Sequence, residues 1–371
     1  MIPYRRPMSP ASPTAQEICT FCPKMCRHAC PVAAASGVET WIPQAKMAVL
    51  AQLRRGHEPW SIHSTEPLWA CTDCRHCTSY CVHGIQPGLA LTEGRAEAVR
   101  RGAEHPALAR YPDRFRARGA RLQLQLREQV APDRVAEEAE VALWPGCDAI
   151  DKGARDVAAL LRLLDRLGAD HVRVAATRET CGGYPLLAAG HRDAFRWHAA
   201  RVATELSRYR TVLMSCAACV YVLRQVYPQE GIQLSTQVLH TTEYLEPLAV
   251  RISGGARPAS VWYHDPCFLS RHLGVVAAPR KLLARVAEVR EFAWSGTDSE
   301  CCGGGGLLAE TMPSVANEMA RRRLGEVADA GGGTVVTSCA TCKHRLAENA
   351  PPGVTVRDLA DLVEERWRAK S

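Results

Sequence analysis

The chain has 371 residues, 47% apolar and 23% charged, which is enough for two or three globular domains with a sizeable core. Its formal charge of +7 comes from 40 Arg against 6 Lys, scattered without a block of five like charges, and this argues against a nucleic-acid binder. No stretch approaches the roughly 18 apolar residues of a membrane span. The expected location is the cytoplasm, with the inner membrane reached only through a partner.

In chain order, residues 1–14 (MIPYRRPMSPASPT) are Pro/Ser-rich, lack the apolar core of a signal peptide, and are read as a disordered tail. Residues 15–102 hold eight cysteines in two runs: Cys19, Cys22, Cys26 and Cys30, then Cys71, Cys74, Cys77 and Cys81. The second run has bacterial ferredoxin spacing, in which three thiolates hold one [4Fe–4S] cube and the fourth crosses to the other. Cluster one is therefore assigned to Cys19, Cys22, Cys26 and Cys81, and cluster two to Cys71, Cys74, Cys77 and Cys30. Two departures from that pattern stand out. Three residues separate Cys22 from Cys26 where two are usual, and Val82 follows Cys81 where Pro is usual. A pair of zinc sites is the competing reading, since C-x2-C is also zinc spacing.

Residues 103–139 are polar and Arg-rich, with helical stretches, and read as a connector. From about residue 140 the chain repeats itself. Cys147 and Cys181 recur 120 residues later as Cys267 and Cys301, and Cys216 and Cys219 recur 123 residues later as Cys339 and Cys342. TVLMSCAAC (211–219) and TVVTSCATC (334–342) are identical at six of nine positions. Residues 140–250 and 251–371 are thus two copies of one α/β unit, separated by the Gly/Pro/Ser-rich RISGGARPAS (251–260). Short apolar runs end at Cys147 and Cys267, and 152–168 and 195–209 carry helical periods. Ligands then follow strand ends and precede helices, which is where open α/β sheets bind. In this alignment Gly182 stands where the second copy has Cys302. Every one of the seventeen cysteines belongs to a group, which argues against a disulfide framework.

The pattern Cys, 33 residues, Cys-Cys-Gly, 35 residues, Cys-x2-Cys, seen from Cys267 to Cys342, resembles the cysteine-rich CCG domain. That domain occurs in heterodisulfide reductase, in the iron–sulfur subunits of glycolate oxidase and anaerobic glycerol-3-phosphate dehydrogenase, and in lactate-utilisation systems. YHDPC (263–267) with Arg271 and CCGGGG (301–306) carry the likeness, although Phe268 stands where the family commonly has His. CPKMCRHACPVA (22–33) and WACTDCRHCTSYC (69–81) resemble the fused two-cluster ferredoxin module. The resemblance implies an N-terminal helical two-[4Fe–4S] domain followed by two α/β CCG domains. It further implies an iron–sulfur cluster, of the noncubane kind, on Cys267, Cys301, Cys302, Cys339 and Cys342. Cys147, Cys181, Cys216 and Cys219 would hold a [4Fe–4S] cluster or zinc.

Single residues are weighed in the same way. Gly303–Gly306 lacks the Lys-Ser/Thr of a phosphate loop, so its glycines are read as letting backbone approach a cluster. Cys302 is the candidate catalytic ligand. His264, and less so His240, is a candidate proton donor beside a redox centre. Asp73, Arg75 and His76 are read as solvated loop residues.

Three functions follow. The first is an iron–sulfur electron-transfer subunit between a flavoprotein (an FAD-linked oxidase or an electron-transfer flavoprotein) and a quinone, a disulfide or another acceptor, with a membrane quinone-reducing partner. The second is a heterodisulfide-reductase-like enzyme acting at the second CCG domain. The third is a zinc-binding scaffold.

Overall fold

A computed structural model describes residues 13–252 and 260–368. The expected tail, apart from its last two positions, and nearly all of the expected 251–260 linker lie outside the described residues.

Residues 13–100 form a helical module. Three of its helices, Pro31–Ser36, Pro43–Arg55 and Pro87–Arg100, open on proline, whose fixed φ and missing N–H suit the first helical turn. Met47, Leu50, Leu53, Leu68 and Leu91 make its core. The cysteine loops emerge between these helices.

Two parallel sheets follow. The first contains β1 (Val135–Ala136), β2 (Ala139–Trp144), β3 (Arg173–Ala175), β4 (Tyr209–Met214) and β5 (Gln237–His240), in the order β1-β3-β2-β4-β5. The second contains β6 (Ser260–His264), β7 (Glu288–Glu291), β8 (Gly333–Thr337) and β9 (Val354–Asp358), in the order β7-β6-β8-β9. The duplication therefore preserves topology, with β3-β2-β4-β5 matching β7-β6-β8-β9. The first sheet also recruits β1 from the segment read as a connector. The remainder of that segment is mainly the helix Tyr111–Gln129, which packs on the first repeat through Arg118 to Asp148 and Asp151.

Central strands are buried as continuous apolar runs, as expected when helices cover both faces: Ala142 to Trp144, Val212 to Met214, Val335 and Val336. The repeats share one core. Leu160, Leu163 and Leu164 of helix Ala154–Arg166 belong to the same cluster as Leu362, Val363 and Trp367 of helix Leu359–Arg368. Arg155–Asp361 and Arg162–Glu364 ion pairs flank that seam.

In each sheet the strand order reverses between the first and third strands, β2/β4 and β6/β8. The crevice at the carboxyl ends of such strands is where open α/β sheets bind ligands. Cys147 and Cys216 follow β2 and β4, and Cys267 and Cys339 follow β6 and β8.

Candidate metal centres

The helical module gathers its eight thiols into two sets. Cys19 feels Cys81, Cys26 and Cys22, and burial, reinforced by those neighbours, pushes its thiol up to about 12. Burial likewise pushes Cys26 and Cys71 up to about 11. Cys77, raised by burial first, feels Cys74, Cys30, Cys71 and Cys26. Cys81 thus lies beside the first run, and Cys30 lies near both Cys77 and Cys26. Thiols of this kind hold their protons at neutral pH, so metal loading must displace protons and grows easier as pH rises.

One buried cation tests whether an anionic cluster fits the second set. Lys46 is 1% exposed, and its ammonium lies 3.5 Å from Cys30 Sγ. A buried ammonium is costly without an anion, and a four-thiolate iron–sulfur cluster, with a charge of about −2, supplies one. The Asp73 N–H also points at Cys71 Sγ, 3.4 Å away. Lys46→Met is therefore expected to lower the midpoint potential of cluster two, read by EPR-monitored redox titration, while cluster one keeps its potential.

In the second repeat the five thiols are all buried and lie close together. Cys267 and Cys301, Cys301 and Cys302, Cys302 and Cys342, and Cys342 and Cys339 shift each other's protonation. Cys302 and Cys342 Sγ are 3.3 Å apart. Hydrogen bonds from Cys301 and Cys342 hold the Cys302 thiol well below its ordinary value. This donor set fits a multi-iron thiolate cluster better than a closed four-ligand zinc site, because it has one soft ligand too many for zinc.

The first repeat links Cys147 to Cys181, Cys181 to Cys219, and Cys219 to Cys216. The position of a fifth ligand is occupied. A Cβ on Gly182 would meet Leu223 Cδ1 at 2.9 Å, and Leu223 sits on a π-helical turn, Val222–Val226. Gly182 donates its N–H toward Cys219 Sγ (3.4 Å), and Tyr227 donates its hydroxyl to the Gly182 carbonyl (3.0 Å). Four thiols remain, a set that fits a cubane cluster or zinc.

The two repeats face one cavity of about 410 Å³, lined by Cys181 and Cys219 from one side and by Cys267, Cys302 and Cys342 from the other. Tyr111, Phe115 and Phe268 add aromatic walls. Its cations carry partners: Arg114 pairs with Glu310, Arg118 with Asp148, and Lys152 with Glu348.

The helical module is docked on the second repeat through its cluster-two loop. Arg271 Nε donates to the Cys74 carbonyl (2.5 Å), and the His272 ring reaches the Asp73 carbonyl at 2.7 Å. Arg95, 1% exposed, donates to the carbonyls of Cys71 (2.7 Å), Ala188 (3.1 Å) and Gly306 (3.2 Å), tying the module to both repeats. Most telling, the buried Cys74 and Cys301 thiols lie near enough to shift each other's protonation. A member of the cluster-two set thus neighbours a member of the five-thiol set.

This docking corrects the reading of the glycine run. A Cβ on Gly305 would lie 2.3 Å from the Thr72 carbonyl oxygen, and one on Gly306 would lie 2.1 Å from that of Cys71. Those two glycines admit the neighbouring module's backbone, while Gly303 and Gly304 do face thiols: the Gly303 N–H donates toward Cys301 Sγ (3.4 Å), and a Cβ on Gly304 would lie 3.5 Å from Cys302 Sγ. The loop residues need the same correction. Asp73 and His76 are buried, and Arg75 donates to the Tyr221 hydroxyl (2.7 Å) and lies over its ring. Burial raises the Asp73 carboxyl to about 6 and lowers His76 to about 4. All three belong to the interface between modules, 146 residues from Tyr221 in the case of Arg75. No local pattern could have signalled it.

His264 is fully buried, with a ring nitrogen within 4.8 Å of Cys302 and Cys342 Sγ. Arg323 donates to its Nδ1 (3.1 Å), so the neutral ring carries its proton on Nε2. Burial, with Arg323 second, lowers it to about 3. The proton-donor role narrows accordingly: His264 takes no proton from neutral solution and offers only the N–H it already holds. The first-repeat counterpart is Trp144, bonded to Thr177 and the Glu179 carbonyl.

His240 instead caps the helix Thr241–Leu245 through Nδ1 and Thr242. Burial lowers it from 6.5 to about 4. Its neutral form is favoured in the fold, so its stability contribution is complete above pH 6.5 and is lost as pH falls toward 4, roughly 3 kcal/mol in all. His240→Asn should flatten that part of the acid limb in urea-midpoint measurements between pH 4.5 and 7.

Known families match these features. A cysteine-rich domain model, CCG, matches residues 141–224 and again 261–347, and a 4Fe-4S dicluster domain matches 15–85. The chain thus carries two CCG cysteine-rich domains and a 4Fe-4S dicluster domain. This CCG-domain chain is 27% identical over 325 residues to one subunit of the dihydromethanophenazine:CoB–CoM heterodisulfide reductase of Methanosarcina barkeri, covering 81% of the chain and 78% of that relative. It is 28% identical over 309 residues to one subunit of the fumarate reductase (CoM/CoB) of Methanothermobacter marburgensis, covering 81% and 61%. Over 344 residues it is 25% identical to an EtfAB:quinone oxidoreductase of Syntrophomonas wolfei, covering 84% of the chain and 47% of that longer protein. Among the described residues, no helix of the CCG-domain chain is long and apolar enough to cross a membrane.

Proposed function

We propose that the chain is an iron–sulfur electron-transfer subunit, working from the cytoplasm between a flavoprotein and a quinone, disulfide or other acceptor. The flavoprotein would be an FAD-linked oxidase or an electron-transfer flavoprotein, and the acceptor side could include a membrane quinone-reducing partner. When bound, the clusters supply one-electron carriers: two [4Fe–4S] centres in the helical module and one iron–sulfur cluster, of the noncubane kind, on the five-thiol set, with a [4Fe–4S] cluster or zinc on the four-thiol set. The observation that carries this reading is the docking of the Cys71–Cys74 loop on the second repeat, which brings Cys74 beside Cys301. Arg271, His272 and Arg95 hold that junction closed. The relatives named for heterodisulfide, fumarate and quinone reactions add support, since each matches more than three quarters of this chain.

A second reading, disulfide reduction at the second repeat, is favoured by the cavity of about 410 Å³ against Cys302 and Cys342. Its size suits a small organic substrate. Anaerobic reconstitution discriminates these readings from the zinc scaffold. The iron–sulfur readings expect a brown protein with about eight irons in the helical module alone, reducible by a flavoprotein donor. A colourless zinc protein would overturn both.

A further inference from the structure

The two departures from ferredoxin spacing fall on one face. The extra residue between Cys22 and Cys26 puts Lys24 at φ 68°, a left-handed conformation that few non-glycine residues adopt. Beside it Met25 is 62% exposed, and Phe21, in the same loop, is 84% exposed. Val82, standing where proline is usual, is 85% exposed. Single apolar side chains on a surface are ordinary. Three so exposed lie on the two segments that carry Cys19, Cys22, Cys26 and Cys81, and clustered apolar exposure marks interaction sites.

Charge says what the patch meets. Loops 20–28 and 78–84 contain Lys24, Arg27, His28 and His83 and no carboxylate. Arg27 is paired with Glu39, whereas among the described residues no ion pair involves Lys24. The side of the helical module around Cys74 is already sealed by the second repeat, which also reaches the edge of these loops: Asp298 accepts from Tyr80, and Trp294 lies beside His28 and Tyr80.

We propose that this face is the docking surface for an acidic flavoprotein, which delivers one electron at a time to cluster one. The inference rests on the electron-transfer reading above and adds the point of entry and the kind of partner. The transfer makes and breaks no bond: the partner's flavin loses one electron and cluster one gains it. Apolar contact at the centre brings the two centres close, and the basic rim steers the encounter. Redox encounters of this type use small, salt-sensitive interfaces.

Flavodoxin, an acidic FMN protein, serves as the probe. Oxidised flavodoxin, which transfers no electron, is titrated calorimetrically into the iron-loaded full chain at low and high salt. Fully reduced flavodoxin is then compared with reduced methyl viologen in stopped flow. Wild type is expected to bind oxidised flavodoxin at low salt and to lose it at high salt. Phe21→Ser with Met25→Ser and Val82→Ser should weaken binding, and slow reduction by flavodoxin, by about tenfold or more. Lys24→Glu should do the same at low salt only. Reduction by methyl viologen, iron content and cluster EPR should stay unchanged in both variants.

Unaltered flavodoxin binding in the triple variant, salt-independent binding, or no binding by wild type would overturn the proposal. So would a wild-type dimer that the triple variant dissolves, or tighter binding once residues 1–12 are deleted, since each assigns the face another occupant. Absence of dicluster EPR in wild type would instead count against the electron-transfer reading itself.

Discussion

Gly306→Val is expected to unseat the cluster-two loop from the second repeat. The new Cβ would fall 2.1 Å from the Cys71 carbonyl oxygen and 3.0 Å from Thr72 Cα, at a φ of 61°. The obstruction is backbone rather than the tip of a flexible side chain, so the loop or the glycine run must move. Overpacking and a β-branched residue in a left-handed position together cost roughly 3 kcal/mol or more. Arg95, which bonds both Cys71 and Gly306, would lose its geometry as well. The expected result is a lowered denaturation midpoint and a broadened or lost cluster-two EPR signal. Cluster one should retain its own signal, because Cys19, Cys22, Cys26 and Cys81 lie on other loops. Gly325→Ala is the control. Gly325 lies within helix Pro313–Asp329 with nothing within 4 Å of the added Cβ. That substitution should be neutral or stabilise by about 0.5–1 kcal/mol.

Cys302→Ser carries the second large effect. Cys302 sits at the middle of the five-thiol set, bonded to Cys301 and 3.3 Å from Cys342. Serine offers a hard, poorly acidic oxygen where the site presents soft sulfur. Loss of one such ligand is expected to weaken cluster retention in the second repeat by more than about 100-fold, exceeding the effect of outer-shell changes. Any disulfide reduction should vanish with it, while the helical module's EPR signals persist. Disulfide reduction that survives the change would remove the second repeat from catalysis. Cys181→Ser is the matched comparison. It strikes the four-thiol set, hydrogen-bonded through Cys147 and Cys219, and should spare the second-repeat signal.

Much of this was legible in the sequence because cysteine spacing is a local code. Loop-borne ligands a few residues apart announce themselves, and the 120-residue and 123-residue offsets announce a duplication. Apolar runs ending at Cys147 and Cys267 also told where the strands stop. What the sequence hid lies in pairings between distant segments. Gly305 and Gly306 look like cluster-facing glycines until the 71–72 backbone is seen against them. Asp73, Arg75 and His76 look like solvated loop residues because their cover, Tyr221 and the 271–272 segment, lies 146 to 199 residues away. At Gly182 the alignment shows that a ligand is missing, and only the fold shows Leu223 filling its place. His264 reads as a proton donor until Arg323, 59 residues on, fixes its tautomer.

The central claim is that the helical module passes electrons into the second repeat at the Cys74–Cys301 junction. EPR spectra recorded through a stepwise reductive titration of the iron-loaded protein test it most directly. With the two thiol sets beside each other, cluster two and the second-repeat cluster are expected to show magnetic interaction when both are paramagnetic, and Gly306→Val should abolish it. Spectra that are a simple sum of isolated centres at every potential would contradict the account.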